Sequence, residues 1–230
     1  MNAKRIVCLA NSRKLGGRCI AGRELVGEGL GPWVRPVSGR ADGAVSDMER
    51  RYSDGTEPKL LDIITVPVVR AVPHRYQAEN WLLDHTWRWG CEGAIKATAL
   101  DLLLDKVAPL WFSGDSSSGG TNDRVPEVLA TGYRSSLRLI RVDELTIRVE
   151  MNQFGAPGDR KIRARFDYLG ESYLLKITDP SIEHRYGDAR YGDHSIGPCY
   201  LTISLSEPFK DYVYKLVAAV MPVSAPVAAR

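Results

Sequence analysis

At 230 residues, with 44% hydrophobic and 26% charged side chains, the chain has ordinary globular composition and the length for two compact domains of about 100 residues each. No apolar run approaches the roughly 20 residues of a membrane-spanning helix, and no small-residue cleavage site follows the first apolar run, so a cytoplasmic protein with no membrane association is expected. Four cysteines with no C-x-x-C pair argue against a zinc ribbon or a disulfide framework, and the net charge of +3 hides a segregation: residues 1–40 carry eight basic and two acidic side chains, residues 42–130 nine and fourteen, residues 131–165 eight and four.

Strand signals come first, at about 4–11, 18–26 and 32–37, with a polar, basic, glycine-containing turn between the first two. A long polar loop over 38–59 precedes a β-branched run at 60–70, in which Pro67 implies a bulge or an edge. Residues 73–89 are polar and aromatic together. Ile95, Ala99, Leu102, Leu103 and Val107 recur at helical spacing and predict one amphipathic helix over 94–107, ended by Pro109. The Ser/Gly-rich stretch 112–124 reads as a flexible linker, which sets a first domain at 1–111 and a second at 125–230. Beyond it, 136–142, 144–151, 161–168 and 171–177 alternate apolar with charged residues as half-exposed strands do, with turns at 155–158 and 169–170. A polar excursion over 178–198, of which 184–194 is expected to be a mobile loop, leads to last strands at 199–205 and 212–221. About five strands per half suit two small Greek-key barrels, and the fold class expected is mainly β.

Six short motifs add more than periodicity does. They are Asn11-Ser12-Arg13-Lys14, Gly17 to Gly22, Trp33-Val34-Arg35-Pro36-Val37, Gln77 to Trp81, Ile177 to Pro180, and Ser204 to Phe209 followed by Lys215 to Ala219. In this order they resemble the bacterial dual OB-containing domain family over nearly the whole chain. Ser206 stands where that pattern has a glycine, and the glycine-rich 27–31 stretch before Trp33 also departs from it. The resemblance implies two OB barrels packed as a unit, a nucleic-acid-binding role and occurrence in bacterial defence gene contexts. It implies no catalytic mechanism.

OB barrels hold single strands by a basic groove that follows phosphates and by aromatic rings that stack on bases. Asn11, Ser12, Arg13, Lys14, Arg18, Trp33 and Arg35 would supply both in the first half, and Arg138, Arg163 and Arg165 share strand faces in the second. The alternative for Trp33 is a place in the core. His74, Tyr76, Gln77, Glu79, Asn80 and Trp81 form a second cluster, suited either to a pocket for a nucleotide or modified base or to buried packing. The histidines and aspartates of 184–194 match no metal-ligand spacing, so no metal and no cofactor are expected. Phosphate-loop, zinc-deaminase, zinc-protease and nucleophile-elbow signatures are all missing from the sequence. The expectation is a non-catalytic protein that binds single-stranded DNA or RNA. The other readings are a module that docks a partner effector enzyme encoded nearby, or a nucleotide-recognition protein.

Overall fold

The computed structural model describes residues 2–27, 29–152 and 159–223. Its strands are β1 (Ala3–Lys14), β2 (Gly17–Val26), β3 (Gly29–Val37), β4 (Asp62–Ala71), β5 (Asn80–Leu83), β6 (Gly90–Ala94), β7 (Arg124–Pro126), β8 (Leu137–Met151), β9 (Arg160–Tyr168), β10 (Glu171–Ile177), β11 (Gly192–Leu205) and β12 (Tyr212–Pro222). Three short helices, α1 (Asp47–Arg50), α2 (Glu127–Ala130) and α3 (Pro180–Tyr186), and a 3-10 helix (Ala97–Leu103) complete it. Among the described residues no helix is long and apolar enough to cross a membrane. The chain divides into two compact units: residues up to Leu103 with Arg134–Leu137, and Leu104–Tyr133 with the residues from Arg138 onward.

In the first unit the sheet order is β1-β2-β3-β5-β4-β6, and β1 also pairs with β4. That antiparallel pairing runs from Ala3↔Pro67 to Val7↔Ile63, while β3 and β5 pair in parallel from Arg35↔Asn80 to Val37↔Leu82. Five strands therefore close into a barrel, which leaves no open edge within the ring. Ile6, Cys8, Ile20, Val34, Ile64, Val66, Val68 and Leu83 fill its interior with Tyr52 and Trp89. The register slips between Cys8 and Ala10, opposite Gly22. A Cβ on Gly22 would stand 2.0 Å from the Val7 carbonyl oxygen, so only glycine permits this approach.

The second unit repeats the cyclic order. Its sheet runs β10-β9-β8-β11-β12-β7, and β10 pairs in parallel with β12 at Lys176↔Leu216 and Ile177↔Val217. Strict alternation sends Leu145, Ile147 and Val149, then Ile162, Ala164 and Phe166, then Tyr173, Leu175 and Ile177 into one core, where Phe166 and Tyr173 stack at 5.3 Å. The residues between them point outward.

Several elements differ from the sequence reading. The helix at 94–107 is a 3-10 helix of seven residues, because Ala94 belongs to β6 and only Leu100 and Leu103, three apart, are buried. Such a spacing matches the three-residue turn. β5, β6 and β7 were not expected, and β8 is one continuous strand rather than two. The division between units falls at Leu103, ahead of the 112–124 stretch, which is itself tied down: Thr121 exchanges backbone hydrogen bonds with Leu174, and the Asn122 amide donates to Ser116 Oγ at 2.9 Å. The stretch 184–194, expected to be a loop, takes in the end of α3 and the start of β11. Asp179 caps α3 by accepting from the Ser181 amide at 2.9 Å, with Pro180 in the first turn, a start signal that Asp179-Pro180 carries in the sequence. The turn at 169–170 is present, with both residues at positive φ, whereas the turn at 155–158 lies outside the described residues.

Gly22→Ala is expected to destabilise the first unit by at least about 2 kcal/mol, since the clash is with backbone. Chemical denaturation of the variant measures it, and a loss below a few tenths would contradict the close approach.

Candidate nucleic-acid interface

Arg13 and Arg18 face each other across the β1–β2 hairpin, and Lys14 faces Gly17 at its turn, where Leu15 is exposed. Directly opposed like charges weaken a hairpin by tenths to about 1 kcal/mol. The other first-half candidates are largely covered. Trp33 and Arg35 are only 6% and 4% exposed, and Ser12 is buried with its hydroxyl donating to the Cys19 carbonyl. Asn11 Nδ2 donates to the Pro58 carbonyl at 2.7 Å. These four side chains hold the barrel together, and only the hairpin cations remain at the surface.

Of residues 74–81, read from the sequence as either a pocket or buried packing, most are packed and His74 is exposed. His74 and Gln77 close a tight turn through reciprocal backbone hydrogen bonds, with Arg75 at positive φ. Tyr76, Gln77, Glu79 and Asn80 are buried, Asn80 Nδ2 donates to Gln77 Oε1 at 3.1 Å, and Lys4 stands 4.1 Å over the half-buried ring of Trp81. Glu79 is the hub. Its carboxylate pairs with Arg35 at 3.2 Å and accepts from the Ser136 amide and hydroxyl, while Arg35 Nη2 donates to Ser136 Oγ at 2.8 Å. An ion pair with both side chains at most 5% exposed survives only with such added hydrogen bonds. The cluster is therefore a structural network of the first unit. Beside it, α1 and the 84–89 turn enclose a cleft of about 250 Å³ with Trp87 and Met48 exposed at its edge.

In the second unit the register brings cations together. Arg148 on β8 faces Arg163 on β9, and Arg163 faces Lys176 on β10, all three on the outward side of the alternation. Arg165 lies two residues along from Arg163 and meets Asp193 at 2.8 Å; Arg148 meets the same carboxylate at 2.8 Å. Arg138 stands apart, ten residues from Arg148 and so on the order of 30 Å along β8, with its guanidinium 5.8 Å from the Trp111 ring. The sequence reading named Arg163 and Arg165 and did not name Arg148 or Lys176. Alternation within β8 and β10 marks both as outward-facing; their alignment depends on pairing.

The row ends at a cleft of about 490 Å³ lined by Arg163, Lys176 and Lys215, by the carboxylates of Asp123 and Glu207, and by the ring of Phe209. Phe209 is 60% exposed and opens a two-residue turn to Tyr212, with Lys210 and Asp211 both at positive φ. That turn joins the fourth and fifth strands of the second unit, the same place that His74–Gln77 takes in the first. Lys215 alternates with Val213 and Val217 and so points into the barrel. It is fully buried, its Nζ donates to the Phe112 carbonyl at 2.6 Å, and burial pushes its pKa down to about 8. Among the described residues no group of His, Cys, Asp and Glu could hold a metal ion.

Two five-strand rings in the order first, second, third, fifth, fourth define an OB-fold protein. The chain belongs to the dual OB-containing domain family, whose model matches residues 4–220. No curated protein and no solved structure matches the chain.

Glu79→Ala should cost about 3 kcal/mol or more by stranding Arg35, whereas the double change Arg35→Met with Glu79→Leu should cost less than Glu79→Ala alone, as read by denaturation. The depressed pKa of Lys215 has a defined sign. Between about 8 and the ordinary 10.5 the unfolded chain binds a proton that the folded one does not, so this group adds stability as pH rises through that window. Buried Cys8 and Cys199, pushed up to about 12, act in the opposite sense above pH 9. The difference between the parent and Lys215→Met isolates the lysine: it should shift in favour of the parent by up to about 3 kcal/mol from pH 7 to pH 10. A difference flat with pH would contradict the burial of the ammonium.

Proposed function

We propose that the protein binds single-stranded nucleic acid through the outer face of its second unit and does so without chemistry of its own. The observation that carries this reading is the aligned row Arg148, Arg163 and Lys176 across three adjacent strands, ending at the exposed ring of Phe209. Repeating phosphates need cations at repeated positions, and bases need an aromatic face; the row and Phe209 supply both. The face formed by the second and third strands, with the loop between the fourth and fifth, is where OB folds commonly take oligonucleotides. Arg13, Lys14 and Arg18 at the first hairpin form a second basic patch suited to the same kind of ligand. A bacterial source and service in a defence system follow from the family resemblance, and both belong to this proposal together with cytoplasmic residence.

A second reading, docking of a partner protein, is favoured by the exposed Trp87 and Met48 beside the smaller cleft of the first unit. Salt separates the two. Displacing counterions from several phosphates makes affinity fall steeply with ionic strength, with a slope of about −0.7 per phosphate for a single strand.

Fluorescence anisotropy with labelled single-stranded DNA, single-stranded RNA and duplex is the test. Binding with a slope steeper than about −2 is expected, and Arg148→Gln and Arg163→Gln should each flatten it by roughly one phosphate's share. Absence of single-strand binding at low salt, or an affinity unmoved by either substitution, would overturn the reading.

A further inference from the structure

The smaller cleft, of about 250 Å³, lies wholly in the first unit, where Glu49 of α1 and Asp84, His85, Trp87, Arg88 and Trp89 after β5 line it. Its covered side is apolar, with Leu83 and Trp89 only 2% and 3% exposed, and its open side carries the ring of Trp87, more than half exposed. Trp89 is the anomaly. An indole has one N–H donor and no acceptor, and a buried one ordinarily finds a partner. Among the described residues no acceptor meets the Trp89 N–H, and its nitrogen is not sealed from solvent. A ring that is otherwise covered thus keeps its one polar atom open, and the cleft is the opening that it lines.

The polar side chains around it are each held by one contact and open at another atom. Glu49 is fully engaged: Oε2 accepts from the Ser46 amide at 2.7 Å and the Ser46 hydroxyl at 2.6 Å, and Oε1 meets His85 Nδ1 at 3.1 Å. A carboxylate only accepts, so the His85 proton sits on Nδ1 and the neutral ring offers Nε2 as an acceptor. Asp84 gives Oδ1 to the Thr86 amide and hydroxyl, at 3.0 and 2.5 Å, and among the described residues nothing donates to its Oδ2. Arg88 donates from Nη1 to the Met48 carbonyl at 2.9 Å, which ties the guanidinium in place and leaves its remaining N–H groups. Two open acceptors and two open donor groups therefore border one small cleft beside an exposed indole.

We propose that this cleft takes a guanine base, either of a free nucleoside or nucleotide or turned out of a strand. Its volume lies below the roughly 300–1,000 Å³ of sites that enclose drug-sized molecules, and suits one flat ring system. A base brings a π face for Trp87 and an edge that both donates and accepts. Guanine answers the open groups best. Its N1–H and amino group are adjacent donors for Asp84 Oδ2 and His85 Nε2, and its O6 and N7 are acceptors of the kind that arginine reads most often, with the Trp89 N–H as a further donor. Adenine and cytosine carry one amino group each, and uracil and thymine a single N–H, so each leaves more of the site's polar groups unmatched. Recognition of the base needs no phosphate, so the proposal goes beyond the strand reading and does not rest on the cationic row of the second unit.

The test titrates the full chain calorimetrically with guanosine, adenosine, cytidine and uridine. Guanosine should bind at least about tenfold more tightly than the other three. Asp84→Asn, which keeps an oxygen for the Thr86 amide, and Trp87→Ala, a change at an exposed position, should each weaken it about tenfold or more while the thermal midpoint stays where it was. A second arm measures anisotropy with an oligothymidylate that does or does not carry one central guanine. A gain from the guanine that Asp84→Asn removes identifies a strand as the source; guanosine binding without that gain identifies the free nucleoside or nucleotide, and either result upholds the cleft. Equal binding of the four nucleosides, binding of none, or a guanosine affinity indifferent to both substitutions overturns it. The strand reading is decided separately, by the effect of Arg148→Gln on the guanine-free strand.

Discussion

The first unit depends on β1 satisfying hydrogen bonds along both of its edges, with β2 on one side and β4 on the other. A five-stranded sheet that closes in this way fixes its own register, because a slip of one residue would move every interior side chain outside. Once closed, the ring sorts the sequence into two populations. Inward positions must be apolar or fully paired, and outward positions are free to carry charge. The second unit obeys the same rule through the same strand order, which is why its outward cations fall into line rather than scattering.

Two buried charges are treated differently. Arg35 is met by Glu79 and Ser136, so its charge is neutralised by permanent neighbours. Lys215 donates to one carbonyl beside an aromatic ring, and the Asp123 and Glu171 carboxylates act on it through space. The first arrangement fastens a fold. The second keeps its charge at a cost, and burial lowers the pKa of Lys215 to about 8.

Much of the fold was legible, and the reasons are specific. The long strands announce themselves by alternation, as in Lys161 to Phe166, and the two-residue turn at Leu169-Gly170 by its glycine. β5 was not legible: four residues, Asn80-Trp-Leu-Leu, carry no alternation, and the strand exists because β3 offers it a parallel edge 45 residues earlier in the chain. The 94–107 pattern misled because an apolar spacing of three serves a 3-10 turn as well as an α-helix. Among site residues, basic character alone nominated Arg35 as readily as Arg163. What distinguishes them is burial and a partner, since Arg35 meets a buried glutamate at 3.2 Å and Arg163 a partly exposed one at 4.0 Å. Lys215 carried a readable signal, a lysine at an inward position between two valines, but its meaning required the cleft outside.

The assignment of Arg134–Leu137 to the first unit bears on how the protein is made. These residues follow Leu103, the end of that unit's main segment, by about thirty positions, and Ser136 within them completes the Glu79 network. On a ribosome the amino-terminal barrel can pair its strands as they emerge, but its buried glutamate waits for a serine that is translated only after β7 of the other unit. Domains generally fold as units in order of synthesis. Here the first to begin cannot be the first to finish until the second has started, so the timing of translation itself couples the two barrels.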